Sequence, residues 1–187
     1  MACLFCLGFW QIGQGAYIPV KAWLAQVLMQ NAWQRAYTGE ARPAPWPWAD
    51  TWPVAKLTAM AGEVELIVLA GGSGRTLAFG PGHLSASVVP GRRGNSVIAG
   101  HRDTHFRFLR ELEIDDRLLI ETPLGDRHVY SVSNIDVVDS RRASLVLDTD
   151  EPVMTLVTCY PFDAATAAGP MRYVVTASLD TDTGPTR

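Results

Sequence analysis

Cys159, His101 and Arg172 are the residues of this 187-residue chain whose types and placement could together break a peptide bond. Each stands at the end of a strand-like run. Cys159 closes the apolar, β-branched run MTLVTC, and Pro161 bars its continuation. His101 ends NSVIAGH, and Arg172 stands near the start of MRYVVTASL. A thiolate attacks a carbonyl carbon and forms a thioester. The departing amine leaves once an imidazolium protonates it. A guanidinium, always charged and able to donate two parallel hydrogen bonds, stabilises the negative oxygen of the tetrahedral intermediate. The productive state needs thiolate and imidazolium together. If the thiol is largely apolar-walled, its charged form is disfavoured, which predicts a slow enzyme with a bell-shaped pH profile.

Taken singly, each residue has a plainer reading. A lone cysteine in an apolar strand is commonly an inert buried side chain. A histidine is commonly structural or at the surface, and an arginine at a strand edge is commonly solvated. The joint occurrence at strand ends is what argues for catalysis. The other cysteines are Cys3 and Cys6, so no second thiol downstream can trap Cys159 in an intramolecular disulfide. His105 lies four residues past His101 and with Cys159 invites a zinc site. The run before His101 reads as strand, however, and Arg102 stands where the glutamate of HEXXH belongs. No metal is expected, and His105 is expected to line the cleft or support His101. Asp103 reads as a helix N-cap before HFRFL, outside the catalytic set. His83 and His128 read as surface or turn residues.

The elements that must position these groups read as a mainly β, closed barrel with short helices. Candidate strands are 64–69, 76–79, 96–100, 117–122, 128–138, 154–158 and 172–179, punctuated by Gly and Pro pairs. HFRFLREL, 105–112, reads as a short helix or helical turn. Residues 38–63 form a connector with Pro43, Pro45, Pro47 and Pro53, too proline-rich for a helix and stiffly extended. Its Trp46, Trp48 and Trp52 are expected to dock on the domain or a membrane surface. Residues 1–37 are a hydrophobic anchor and juxtamembrane helix. They are apolar but interrupted by QIGQG, and no basic region of the signal-peptide kind precedes them. Residues 2–18 are a borderline span, weakened by Gln11 and Gln14, and the true start could lie upstream. Residues 17–36 suggest a helix with one wet side, suited equally to a bilayer surface or to the barrel. The catalytic barrel is placed at 64–180 and a tail at 181–187. A net charge of −3 and isolated arginine pairs at Arg92 and Arg141 argue against a nucleic-acid partner.

The segments TLVTC (155–159) and AGHRDTHF (99–106), followed by an arginine, resemble the active-site signature and histidine segment of sortases. GRTLAFGPGHL, 74–84, is similar to the first barrel strand and turn of that family, and the resemblance covers about 64–179. It implies a sortase-type β-barrel of about eight strands and a cysteine transpeptidase. Such an enzyme cuts a surface protein within an LPxTG-like C-terminal motif, between Thr and Gly, and passes the N-terminal part to an amine. By this resemblance Cys159 is the nucleophile and His101 the general acid and then base. Arg172 is the oxyanion and positioning group, and Thr158 helps hold the substrate backbone. The family implies no cofactor. Some members bind calcium, but no acidic cluster here clearly matches such a site. The Pro/Trp connector resembles that of a Gram-negative, mostly marine proteobacterial branch. That implies a single-pass inner-membrane protein with its catalytic domain facing the periplasm. The same residues fit a cysteine endopeptidase with water as acceptor. A non-enzymatic, membrane-anchored β-barrel binding module would instead bury Cys159. The acceptor amine and the detailed sorting motif are not legible.

Overall fold

Alternating apolar and polar residues make the strands, and the alternation turns one face of each toward a shared interior. In this computed structural model, which describes residues 2–59, 64–164 and 169–180, the strands are β1 (Pro53–Ala59), β2 (Val64–Ala70), β3 (Gly82–His83), β4 (Gly94–Ala99), β5 (Arg117–Glu121), β6 (Arg127–Asp139), β7 (Pro152–Cys159) and β8 (Met171–Leu179). They close a barrel in the order β1-β2-β3-β4-β7-β8-β6-β5, with β5 returning to β1. Leu57, Val68, Ile98, Leu118, Tyr130, Leu156 and Val175 fill its interior with no measurable exposure. Most neighbours are antiparallel, but β2 and the short β3 run parallel, as do β4 and β7, with Ser96 beside Met154 and Ala99 beside Val157. Parallel strands need cover on both faces. Accordingly β4 is buried along nearly its whole length.

The barrel begins at Pro53, not at residue 64. In the stretch assigned to the connector, β1 alternates, with Ala55, Leu57 and Ala59 inward and Lys56 outward between Glu65 and Glu121, 3.7 Å from each. Proline is tolerated at the first residue of a strand, where its missing N–H breaks no ladder. The segment expected as a strand at 76–79 is instead a helical turn, α2 (Gly74–Leu77), so 74–84 is not the first barrel strand. The oxygen of Ser73 accepts from the Thr76 amide at 3.2 Å and caps α2. Only the two-residue β3 remains of that run, and it bridges β2 to β4. The helical turn expected at 105–112 is a 3-10 helix, Arg107–Glu111.

The N-terminal helix α1 (Ala2–Tyr37) runs unbroken through QIGQG. Ala25, Met29, Ala32, Trp33 and Ala36 recur at helical spacing and are buried. Met29 and Trp33 pack on Ile67 and Leu69 of β2, so this part of the helix lies on the barrel. Among the described residues, no helix is long and apolar enough to cross a membrane. Val20, Trp23 and Leu24 remain exposed. Of the connector tryptophans, Trp46 docks edge-on against Phe79, with ring centroids 4.7 Å apart, and Trp48 is 81% exposed. A largely apolar cavity of about 480 Å³ lies between Leu24, Leu28, Trp46, Trp48 and Phe79, away from Cys159.

Candidate active site

β7 delivers Cys159 as its last residue, and β8 sets Arg172 directly opposite it in the antiparallel register. On the other side of β7, the Gly100 amide donates to the Val157 carbonyl at 3.1 Å, prolonging the parallel β4 ladder past Ala99. Carrying that register forward to the next residue of the same face brings His101 alongside Cys159. The alternation then sorts the faces. Met154 and Leu156 of β7, Ile98 of β4, and Val175 and Ala177 of β8 point into the barrel. Cys159, His101 and Arg172 have the opposite parity and share the outer face. Cys159 is a free thiol, partly exposed, His101 is exposed and Arg172 is partly exposed. Thiol, guanidinium and imidazole thus sit on β7, on β8 and just past the end of β4, at one end of one wall. Nη1 of Arg172 donates to the carbonyls of Gly169 and Met171 at 2.7 and 2.8 Å, which fixes the guanidinium at the start of β8.

This ordering of thiol, imidazole and guanidinium is matched by kinship. The sortase domain family model matches residues 57–180. The chain belongs to the sortase family. It is 35% identical over 114 residues to Sortase D of Bacillus subtilis (strain 168), an alignment spanning 60% of this chain and 57% of that protein. Among solved structures, a Clostridium perfringens Sortase D5 transpeptidase superimposes with a TM-score of 0.62 at 25% identity, over 81% of this chain and 88% of that one. Sortase A from Corynebacterium diphtheriae, at 23% identity and a TM-score of 0.63 over 83% of this chain and 84% of that one, shares the fold.

Within this sortase barrel, Thr158 does not face a substrate. It is 2% exposed, and its hydroxyl donates to the Gly100 carbonyl at 2.7 Å. With Cys159 on the outer face, its neighbour must point inward, and there it ties the cysteine strand to the histidine segment. Asp103 is not a helix cap, for the 3-10 helix has no side-chain cap, and its carboxylate instead accepts from Nε of Arg102 at 3.2 Å. His83, expected at the surface, is 5% exposed and bonds the Val88 carbonyl at 2.8 Å. No group of three His, Cys, Asp or Glu among the described residues could hold a metal ion.

His105 stands near enough to His101 to feel its charge. Burial foremost, then the His101 charge, push its pKa below the usual 6.5, against a raising hydrogen bond with the Phe79 backbone. At neutral pH His105 is therefore uncharged. A folded-state value below the unfolded one means that the unfolded chain takes up more protons in between. The stability contributed by neutral His105 is present above pH 6.5 and is lost as the pH falls from there toward the folded value. We expect an NMR titration to place His105 below 6.5 and His105→Gln to flatten the acid side of the stability curve. A His105 titrating at or above 6.5 refutes this.

Gly100 has a steric reason to precede the histidine. A Cβ there would lie 2.8 Å from the ring of Phe106, a core side chain with no exposure. Gly100→Ala should destabilise the barrel by about 1–3 kcal/mol, as overpacking does. A wild-type denaturation midpoint would show that Phe106 steps aside without cost.

Proposed function

We propose that this sortase is a cysteine transpeptidase acting on an LPxTG-like motif near the C-terminus of a surface protein. Cys159 attacks the carbonyl carbon of the motif's threonine. Arg172 stabilises the resulting oxyanion, and His101 protonates the amine of the departing glycine. The acyl part stays on Cys159 as a thioester until an amine attacks it, and His101, now neutral, takes the incoming proton. The observation that carries this reading is the register that sets Arg172 on one side of Cys159 and the histidine segment on the other. The part-exposed thiol favours an enzyme over a binding module, which has no use for an accessible nucleophile.

We place the protein on the extracytoplasmic side of a membrane, associated through α1. The exposed Val20, Trp23, Leu24 and Trp48 support attachment at the interface in place of a single-pass span. Its Pro/Trp connector supports membership of the Gram-negative proteobacterial branch. Intact mass spectrometry of the chain with an LPETG-containing peptide, with and without added amine, tests the reaction. A thioester on Cys159, converted to amide when amine is present, is the expected result. Hydrolysis product alone, whatever amine is offered, makes the protein an endopeptidase. An unreactive thiol overturns the enzymatic reading.

A further inference from the structure

Arg102 is the buried charge that the proposed chemistry leaves unused. It follows His101 directly, and its side chain is 3% exposed. Among the described residues its guanidinium reaches three acceptors. Nε donates to the Asp103 carboxylate, Nη1 to the Pro161 carbonyl, and Nη2 to the Ala164 carbonyl at 2.6 Å. Pro161 and Ala164 belong to the loop that begins where β7 ends at Cys159. Taking a guanidinium out of water is costly unless its donors are satisfied. Two backbone carbonyls and a carboxylate around one planar fork satisfy them in a geometry that a lysine ammonium cannot copy.

The position of these bonds matters more than their number. Upstream of the reacting pair, the histidine and cysteine segments are joined by the Gly100 amide on Val157 and by the Thr158 hydroxyl on Gly100. Downstream of it, Arg102 joins them again, across 59 and 62 positions of sequence. His101 and Cys159 are therefore bracketed. The two segments are tied together on both sides of the two side chains proposed to exchange a proton, and among the described residues the downstream tie runs through Arg102.

We propose that Arg102 is a positioning residue that sets the separation and alignment of the His101 imidazole and the Cys159 thiol. The inference rests on the reading of those two groups as the reacting pair. Without the fork, the loop after Cys159 and the turn after His101 move independently while the barrel remains closed. A misplacement of about 1 Å at reacting groups costs on the order of a hundredfold in rate.

The test uses the full chain and two variants. Arg102→Lys keeps the charge and removes the fork. Asp103→Ala removes the acceptor on Nε and changes only an exposed side chain, 64% accessible, so it folds even if Arg102→Lys does not. Thermal denaturation, kcat and KM on the LPETG peptide, and the pH dependence of Cys159 alkylation by iodoacetamide are measured for each, beside His101→Ala. The His101→Ala profile defines alkylation of a thiol with no imidazole beside it, and the wild-type profile is expected to differ from it. Arg102→Lys is expected to lower kcat at least about tenfold with KM nearly unchanged, and to move the alkylation profile toward that of His101→Ala. Asp103→Ala is expected to do the same more weakly, about threefold in kcat. A lower melting temperature for Arg102→Lys with a wild-type kcat and alkylation profile would make Arg102 a merely structural residue and overturn the inference. If Arg102→Lys fails to fold, a wild-type profile for Asp103→Ala overturns it. If His101→Ala leaves the wild-type alkylation profile unchanged, the pair itself is wrong and the inference falls with it. Only that last result touches the proposed mechanism.

Discussion

Cys159→Ala leaves a folded barrel that still binds a sorting-motif peptide and forms no thioester. The covalent intermediate needs the sulfur, and no other cysteine lies in the barrel, since Cys3 and Cys6 both belong to α1. Loss of a catalytic nucleophile costs about a millionfold where it has been measured on other enzymes. Here the intermediate itself disappears, so turnover should fall below detection. The fold should be indifferent. Cys159 sits at the end of β7, partly exposed, outside the core that Met154 and Leu156 help to build. Intact mass after incubation with peptide reads the adduct, and peptide binding followed by fluorescence anisotropy reads recognition. Any mutant chain that gains the mass of the acylated peptide would show that another residue is the nucleophile.

His101→Ala is expected to slow thioester formation by about 10²–10⁴-fold, the range a positioned acid or base contributes. The residue is exposed and lies beyond the end of β4, so the barrel loses no packing with it. Its loss should also remove one limb of the bell-shaped pH dependence of kcat/KM, because the imidazolium no longer has to be kept protonated. With the ring gone from an open site, added imidazole should restore part of the rate. His105 is not expected to stand in, since burial, the larger cause of its lowered pKa, still operates once His101 is gone. Near-normal turnover in this variant would remove His101 from the mechanism.

The placement of Cys159, His101 and Arg172 at or near strand ends was legible because strands are legible. A run of apolar, β-branched residues ending abruptly marks a strand end, and strand ends are where a barrel opens to solvent. Parallel pairing of β4 with β7 was not legible, because nothing local records which strand will lie beside which. Thr158 was misplaced although the sequence held the clue. Residues 158 and 159 must face opposite ways, so an outward cysteine sends the threonine in. β1 was hidden by Pro53, which reads as a breaker until its place at the first residue of the strand is seen. The helical turn at Gly74–Leu77 was mistaken for a strand because four residues are too few to display a period. Arg102 carried no signal of its own. An arginine beside a histidine looks solvated until a distant loop is known to fold over it.

The strand order has a consequence for how the activity comes into being. β8, last of the strands along the chain, lies between β7 and β6 in the finished barrel. It both seals the wall and carries Arg172. A nascent or truncated chain that stops before β8 leaves two raw sheet edges, and such edges invite pairing with other chains. Its thiol also lacks its guanidinium partner, while His101 must still be brought to Cys159 from a strand some 58 positions upstream, the separation spanned by the Thr158–Gly100 bond. Contacts of that kind form late and slowly. On the proposed mechanism, unfinished copies are expected to be inert toward peptide bonds, with competence arriving on insertion of the final stave.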